Sequence, residues 1–365
     1  MDKNNNLCGF QTLSSHTRYT FPDYKPRSPW LNADLQTLCN KIAPPEHQLD
    51  KYVHSPLLLP LEDGSGDALV ATLYLPDMPE HNNRSFSTPL IVFIHGLGGS
   101  SQAIYVNTSA EYFLAEGYPV LTVNLRGVGD SGQHCCSHNH PGRSEDIGLL
   151  LDALQLRLRR DLFDNGVILM GFSMGGNIVL KFLGEKPDHP LVRAAITVSA
   201  PLDLALTSRN LLEWRNVGYQ QYLLRRIKAA SLRDNNDISE EEWNIIENAM
   251  SVWEVDEKFT APHLGFDKVE TYYEEFSSKN FLNRINVPTL LIHALDDPFV
   301  PNETYLEFNW EQHPMLHPIL VECGGHNGFH GDGSFVPWHN RCALEFLKQL
   351  DLAIQEDEIQ QPQTA

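Results

Sequence analysis

The sequence predicts an α/β protein in which a mostly parallel central sheet, flanked by helices, is interrupted by an inserted helical cap. Three observations support this prediction. Apolar runs that suit strands buried on both faces alternate with helical patterns between residues 90 and 199. The alternation stops at about residue 204, and a helical stretch rich in aromatic side chains follows as far as residue 280. An apolar run at residues 288–293 then resumes the pattern, so we expect the sheet to continue after the insertion.

These elements divide the chain into three predicted parts. Residues 1–50 form an N-terminal arm around a short helix at 32–42, residues 51–203 and 281–355 form the α/β core, and residues 204–280 form the helical cap. Strands are predicted at 53–59 and 68–75, as an antiparallel hairpin, and then at 90–94, 120–124, 167–170, 194–199, 288–293 and 318–322. Core helices are predicted after residue 173 and at 105–116, 144–159 and 338–350.

Composition and charge exclude several classes of function. The chain has 365 residues, of which 42% are hydrophobic, enough to bury a full core. Its 27 Lys and Arg residues against 47 Asp and Glu give a formal charge of −20, which repels nucleic-acid phosphates, so no nucleic-acid partner is expected. No apolar run approaches the ~18 residues of a spanning helix, so we expect no transmembrane segment, while peripheral membrane contact stays open. Six irregularly spaced cysteines, and an N-terminus without the apolar region of a secretory signal, predict a cytoplasmic location.

A candidate nucleophile lies in residues 171–175, Gly-Phe-Ser-Met-Gly, between a strand pattern and a helical pattern. A strand that turns sharply into a helix would hold the Ser173 hydroxyl clear of the sheet edge. The glycines on either side remove the Cβ atoms that would clash in so tight a turn. A Gly-x-Ser-x-Gly segment occurs by chance in roughly one chain in ten of this length, so other parts of the sequence have to support it.

A glycine-rich loop, residues 95–101, follows the first buried strand of the parallel part. Backbone N–H groups of such a loop can stabilise a negatively charged oxygen beside Ser173, and we assign this role to the N–H of Leu97. The second donor is the N–H of Met174, because the first amides of a helix have no acceptor within it. His95, which begins the loop, is interpreted as a structural imidazole rather than a base.

An acid and a histidine follow later strands, in the chain order Ser173, Asp297, His326, each in the loop directly after a strand. Ser173 needs a base to take its proton, and the base needs a carboxylate to fix its tautomer, which explains these residue types. His326 is preferred because glycines precede it, whereas three other histidines lie in or before strands: His293, His313 and His317. For the acid, Asp297 is favoured over Asp296, and Asp203 is a third candidate that can equally cap a cap helix.

Two further segments suggest a functional role but can also be explained by structure alone. Residues 134–140, His-Cys-Cys-Ser-His-Asn-His, crowd several metal-binding side chains into one short run without the paired spacing of a zinc site. No metal and no cofactor are therefore predicted. The aromatic side chains of residues 204–280 suit a lid that shields Ser173 from water and holds an apolar substrate chain, although most of them are also expected to form the core of that lid.

These residues also carry a family resemblance that spans nearly the whole chain. The sequence resembles the YheT-like branch of the α/β-hydrolase superfamily, esterases related to eukaryotic enzymes that form medium-chain esters or cleave phospholipids. The matching segments are Ser-Pro-Trp-Leu at 28–31, Asp-Leu-Gln-Thr-Leu at 34–38, His-Gly-Leu-Gly-Gly at 95–99, Asn-Leu-Arg-Gly at 124–127, Gly-Phe-Ser-Met-Gly-Gly-Asn at 171–177, Phe-Thr-Ala-Pro at 259–262, Gly-Phe at 265–266, Asp-Asp-Pro-Phe at 296–299 and Gly-Gly-His at 324–326.

The resemblance implies an α/β-hydrolase fold with Ser173 as nucleophile, Asp297 as acid and His326 as base. Residues 130–138 depart from the pattern of the branch, so no substrate is inferred from them. His140 fits the pattern and is interpreted as structural.

Together, the motifs predict a serine hydrolase that cleaves carboxylic esters with short to medium acyl chains through an acyl-enzyme. The expected partner is a small-molecule ester, and no cofactor is needed. An acyltransferase that hands the same acyl group to an alcohol stays open, because only the acceptor differs, and so does a phospholipase or lipase-type activity. A non-catalytic binding protein is disfavoured, since such proteins usually lack a member of the triad.

Overall fold

The computed structural model describes residues 9–77, 86–231 and 238–360, with side chains as far as residue 351. In this part of the chain nine strands form one mixed sheet. They are β1 (Phe10–Thr12), β2 (Val53–Pro60), β3 (Ala68–Leu75), β4 (Leu90–Ile94), β5 (Val120–Val123), β6 (Val167–Phe172), β7 (Val192–Val198), β8 (Thr289–Ala294) and β9 (Leu316–Val321).

The strands lie in the order β1-β9-β8-β7-β6-β4-β5-β3-β2. The central strands from β9 to β5 run parallel. At one edge β1 pairs antiparallel with β9, and at the other β3 pairs antiparallel with β5 and β2 antiparallel with β3. The predicted mostly parallel sheet is therefore confirmed. The sequence pattern does not reveal β1, because three residues are too few to show a strand periodicity.

Twelve α-helical segments accompany the sheet within the described ranges. They are α1 (Ala33–Ile42), α2 (Ile104–Ala115), α3 (Glu145–Arg157), α4 (Met174–Glu185), α5 (Leu204–Leu211), α6 (Val217–Ser231), α7 (Glu240–Asn248), α8 (Val252–Val255), α9 (Ala261–His263), α10 (Val269–Phe276), α11 (Glu303–Glu307) and α12 (Trp338–Gln360). The segments α5 to α10 lie between β7 and β8, and a π-helical turn, Asp256–Thr260, joins α8 to α9. No helix in the ranges described is both long and apolar enough to cross a membrane.

Apolar side chains fill both faces of the sheet. In β4 the residues alternate: Leu90, Val92 and Ile94 belong to the core on one face, while Ile91 and Phe93 belong to the core on the other. Helices α3 and α4 cover the first face, and α2 and α12 cover the second. This double burial explains why the central strands are apolar at nearly every position.

The parallel strands end at one edge of the sheet, and that edge carries the loops of functional interest. Leu97 follows β4, Ser173 and Met174 follow β6, Asp297 follows β8, and His326 follows β9. Open α/β sheets bind ligands at the carboxyl ends of their strands, so the topology brings these residues to one place.

Candidate active site

Ser173 lies at the turn between β6 and α4, with φ 52° and ψ −126°. A positive φ is unfavourable for a residue with a Cβ atom, so the surrounding packing has to hold the turn. Two glycines permit this packing: a Cβ on Gly171 would lie 2.6 Å from the Gly175 carbonyl oxygen, and one on Gly175 would overlap the Ile94 carbonyl. The turn presents the Ser173 hydroxyl to the loop after β9.

The residues predicted as nucleophile, base and acid lie in one hydrogen-bonded chain. His326 Nε2 lies 2.9 Å from Ser173 Oγ, and His326 Nδ1 lies 2.9 Å from Oδ2 and 3.1 Å from Oδ1 of Asp297. Because a carboxylate only accepts, Nδ1 carries the proton toward Asp297, and Nε2 is left to accept from the Ser173 hydroxyl. In this tautomer the imidazole can act as a base toward Ser173.

The side chain of Asp297 is fully buried, and backbone groups hold its carboxylate. Its Oδ1 accepts hydrogen bonds from the N–H groups of Phe299 and Val300, at 2.8 and 3.0 Å. Burial opposes ionisation of Asp297, but the His326 charge and the hydrogen bonds outweigh it, so the pKa of Asp297 stays below its usual value. The carboxylate is therefore an anion at neutral pH, beside the imidazole that it orients.

The alternative acids have other partners. Asp296 Oδ1 accepts hydrogen bonds of 2.8 and 2.9 Å from the amides of the two glycines that precede His326, and so shapes the loop. Asp203 caps α5 through the N–H of Leu206 and binds Lys279 Nζ at 2.8 Å. Neither carboxylate is hydrogen-bonded to His326.

The competing histidines lie within strands or before one. His293 in β8 and His317 in β9 are buried, and burial lowers the pKa of each to about 4. His313 follows a 3-10 turn just before β9. Of His293, His313, His317 and His326, it is His326 that lies in a loop after a strand.

Helix α1 contacts the loop that carries His326. The pattern of strands followed by loops does not predict this contact. Thr37 Oγ1 accepts a hydrogen bond of 2.9 Å from the backbone N–H of His326 and donates one of 2.7 Å to the Ala33 carbonyl. Gln36 beside it is completely buried and bonds to both the N–H and the carbonyl of His330, at 2.7 and 3.1 Å. α1 therefore holds the His326 loop in place. Both residues belong to the Asp-Leu-Gln-Thr-Leu segment at 34–38, one of the segments that carry the family resemblance.

The loop after β4 lies directly against Ser173, because a Cβ atom on Gly96 would come within 2.9 Å of the Ser173 Cβ. Leu97 and Met174 line the same cavity as Ser173. Within the described part of the chain, the backbone N–H of neither residue donates a hydrogen bond to a protein group. The oxyanion-hole role of these two amides therefore stays a prediction.

His95 and Tyr105 fix this loop. His95 Nδ1 donates to the Gly96 carbonyl oxygen at 2.9 Å, and its Nε2 accepts from the Leu125 N–H at 3.1 Å. The Tyr105 hydroxyl accepts from the Gly96 N–H at 2.9 Å. Complete burial lowers the pKa of His95 to about 4, so the ring is neutral and holds the loop by hydrogen bonds alone.

A cavity of about 420 Å³ adjoins Ser173. The loops of the core form one side of it, and α1 together with the helices α5, α6, α8 and α10 forms the other. Most of its lining is apolar: Leu97, Ile104, Met174, Leu204, Leu211, Leu223, Ile227, Val252, Val255, Phe299 and Val300. Arg226 of α6 also donates a hydrogen bond of 2.6 Å to the Gly98 carbonyl, so α6 contacts the loop that carries Leu97. The cavity can hold an apolar chain next to the Ser173 hydroxyl.

Residues 134–140 lie beside this cavity. Asn139 and His140 contribute to its lining, and burial holds the pKa of His140 well below its ordinary value. The His138 ring lies 5.0 Å from the Phe259 ring, which packs it against the segment joining α8 to α9. Across the ranges that the structure describes, no group of three or more His, Cys, Asp or Glu residues is arranged to hold a metal ion.

Comparison with known proteins identifies the family. Residues 89–332 match the family model described as alpha/beta hydrolase fold. The chain is 30% identical over 249 residues to YheT of Escherichia coli, named as an esterase, and the match covers 67% of this chain and 71% of YheT. It is also 27% identical to a monoacylglycerol lipase and 28% identical to medium-chain fatty acid ethyl ester synthase/esterase 2, both of Saccharomyces cerevisiae. These matches cover 75% and 77% of this chain but 62% and 66% of the yeast proteins, so the chain spans less than two thirds of their length.

Among solved structures, the chain is similar to the esterase Pf2001 of Pyrococcus furiosus, with a TM-score of 0.54 and 18% identity. That similarity covers 82% of this chain and 91% of the esterase, and at such low identity it supports the fold alone. The family model covers more than half of the chain, and the match to YheT agrees with the resemblance carried by the motifs. The chain therefore belongs to the α/β-hydrolase family, in its YheT-like branch.

Proposed function

We propose that the protein is a serine hydrolase of carboxylic esters. The observation that carries the proposal is the hydrogen-bonded chain from Asp297 through His326 to Ser173, which ends at the wall of a largely apolar cavity. The names of the relatives support the same class, because esterases and lipases act on ester bonds. The aligned side chains also disfavour a non-catalytic binding protein.

In the proposed reaction, Ser173 Oγ attacks the ester carbonyl carbon while His326 Nε2 takes the hydroxyl proton. The carbonyl oxygen becomes an anion that accepts hydrogen bonds from the N–H groups of Leu97 and Met174. Asp297 stabilises the protonated imidazole, which then gives its proton to the departing alcohol and leaves an acyl-enzyme. Water attacks the acyl carbon while His326 takes one of its protons. The Oγ–acyl bond then breaks, His326 returns the proton to Ser173 Oγ, and the acid is released. Every proton moves between these groups, so the proposed reaction calls for no cofactor.

The proposed division of the chain is an arm at residues 1–50, a core at residues 51–203 and 281–355, and a cap at residues 204–280. The cap is proposed to act as a lid over Ser173. Its helices supply much of the apolar lining beside Ser173. Each buried methylene contributes about 0.8 kcal/mol, so kcat/KM should rise roughly fourfold per added acyl carbon until the cavity is full. A short to medium acyl chain is the proposed preference, and a cytoplasmic location stays a prediction from the cysteine content.

An acyltransferase is the second candidate, favoured by the relative whose name joins ester synthase and esterase. It would use the same acyl-enzyme and hand the acyl group to an alcohol instead of water. Adding ethanol to the assay separates the two, because transfer yields an ethyl ester whereas hydrolysis yields the free acid. The relative named as a monoacylglycerol lipase keeps lipase-type substrates within the proposal.

The test combines a fluorophosphonate probe with a panel of esters graded by acyl length. Ser173→Ala should abolish both labelling and turnover, because the probe and the substrate react with the same oxygen. Ser100→Ala is the matched control, since Ser100 also lines the cavity and should keep both. Labelling retained at another serine in Ser173→Ala would contradict the assignment, and equal kcat/KM for acetate and longer esters would contradict the role of the cap.

A further inference from the structure

The cap side of the cavity carries polar groups that the proposed hydrolysis does not use. Asp256 begins the π-helical turn after α8 and lines the cavity together with Ser208 of α5 and with Tyr272 and Tyr273 of α10. We name these four residues the cap polar cluster. A π-helical turn is rare and is frequently found at functional sites, and this one begins with a half-buried carboxyl group that lines the cavity.

Asp256 is an acceptor within this cluster. Its Oδ2 accepts a hydrogen bond of 2.7 Å from the Tyr273 hydroxyl, which lies 2.9 Å from Ser208 Oγ. In the described ranges, the groups that bond to the Asp256 carboxyl are the hydroxyls of Tyr273 and Thr260, and neither is a cation. A carboxylate offers about four acceptor positions, so acceptor capacity remains for a ligand in the cavity.

Tyr272 supplies a second unused group. Its side chain is completely buried, and its phenolic oxygen has no hydrogen-bond partner in the part of the chain that the structure describes. Burial and then the nearby Asp256 charge raise the pKa of Tyr272, so its hydroxyl stays protonated and can donate. An unpaired buried hydroxyl is unfavourable, and a ligand that pairs with it gains affinity.

We propose that the cap polar cluster binds a hydroxyl group of the substrate, so that the protein prefers esters that carry a free hydroxyl. This inference rests on the proposed ester hydrolysis. A hydroxyl donates one hydrogen bond and accepts others, and it therefore satisfies both the Asp256 acceptor and the Tyr272 donor. An ammonium group has no lone pair for Tyr272, and an alkyl chain satisfies neither residue.

The apolar surroundings of the cluster make such a hydroxyl decisive for specificity. A site that hydrogen-bonds a substrate hydroxyl strongly rejects the analogue that lacks it, because the polar groups of the site are then left unpaired. The hydroxyl can belong to the alcohol part of the ester or to its acyl chain. Both sources present the same chemistry to Asp256 and Tyr272, and a matched set of esters distinguishes them.

The test uses three esters of similar size: the glyceryl ester of octanoic acid, its propyl ester, and the propyl ester of the terminally hydroxylated acid. The first carries hydroxyls on the alcohol, the third carries one on the acyl chain, and the second carries none. We would measure kcat/KM on each with the wild type, Asp256→Leu and Tyr272→Phe, since the last removes only the phenolic oxygen and preserves the packing. Glu257→Gln is the matched control, because Glu257 is the exposed neighbour of Asp256 on the same turn.

We expect the wild type to prefer one hydroxylated ester over the propyl ester by at least about tenfold in kcat/KM. Asp256→Leu and Tyr272→Phe should each remove most of that preference, because the hydroxylated ester loses a partner and the propyl ester no longer leaves that polar group unpaired. Glu257→Gln should keep the preference. Equal kcat/KM on the three esters in the wild type would overturn the inference. So would an equal loss on all three in both variants, which indicates a purely structural cluster. If only the propyl ester is turned over, the inference of a hydroxyl preference is wrong and the proposed ester hydrolysis stands. If no ester is turned over, both proposals are wrong.

Discussion

At the scale of single residues, two adjacent carboxylates have different tasks in the loop after β8. Asp297 is hydrogen-bonded to the His326 ring, whereas Asp296 is bonded to the amides of the glycines that precede His326. Asparagine at either position keeps the size of the side chain and replaces one acceptor oxygen with a donor. The two substitutions should differ in their effect on catalysis. The imidazole beside Asp297 can switch between two tautomers, whereas the glycine amides beside Asp296 can only donate.

Asp297→Asn is expected to lower kcat by roughly 10⁴, because the amide favours the tautomer with a protonated Nε2, which cannot take the Ser173 proton. Asp296→Asn keeps an oxygen for the glycine amides, so its loss should stay below about tenfold. Steady-state kinetics on one chromogenic ester, at equal folded fraction by circular dichroism, checks both variants. A larger loss in Asp296→Asn than in Asp297→Asn would reverse the assignment of the acid.

At the scale of elements, the π-helical turn of the cap makes stability depend on pH. Burial raises the pKa of Asp256 from 3.8 to about 6 in the folded protein. Between these values the folded state binds more protons than the unfolded chain, so the free energy of unfolding falls as pH rises through this window. The titratable neighbours Tyr272 and Tyr273 stay protonated there, because burial raises the pKa of both phenols.

Asp256→Asn removes this titration. Relative to the wild type, the variant should gain stability as pH rises through the window, by at most about 3 kcal/mol, since one pKa unit corresponds to about 1.4 kcal/mol. Part of the Asp256 side chain faces the cavity, so the measured gain should fall below that bound. Urea unfolding of both proteins across the window provides the comparison. A stability difference that does not change with pH would show that Asp256 does not titrate there.

At the scale of the whole molecule, Arg126 joins three parts that are distant in sequence. It is completely buried after β5 and pairs with Asp146 of α3 at 2.6 Å, and with Asp67 and Asp63 between β2 and β3 at 2.8 and 2.7 Å. Burial opposes the Arg126 charge, but the carboxylates outweigh it and raise the pKa of Arg126 above its ordinary value. Removing the cation would leave the buried carboxylates of Asp67 and Asp146 without their cationic partner.

Arg126→Ala should lower the free energy of unfolding by about 3–5 kcal/mol, the cost of breaking a buried ion pair. Arg159→Ala is the matched control, because Arg159 makes an exposed pair with Asp161 at 2.6 Å that should contribute less than about 1 kcal/mol. Urea titration of both variants at neutral pH gives the two values. Equal and small losses would mean that the buried network adds no more than a surface pair.

The core of the fold and the loops of the candidate site could be predicted from sequence because their signals are local. A strand such as β4 is apolar at every position, and topology alone brings Ser173 and Asp297 to one sheet edge. The contact of Thr37 with His326 could not be predicted, because it joins residues 289 apart through the packing of α1. The shared position of Asp256 and Tyr272 at the cavity could not be predicted either. The six short cap helices have no clear periodicity, so the sequence does not indicate which face of each helix lines the cavity.

The contact between α1 and the His326 loop also affects the order of events during biosynthesis. Thr37 leaves the ribosome before its partner, which is made 289 residues later, a delay of about 15–60 s at roughly 5–20 residues per second. During that interval β1 lacks its neighbour β9, and Ser173, once made, lacks its proposed base. A nascent chain that does not yet reach His326 would therefore carry Ser173 without the group proposed to activate it. The proposed ester cleavage would begin only after the loop of His326 has been translated and α1 has docked onto it.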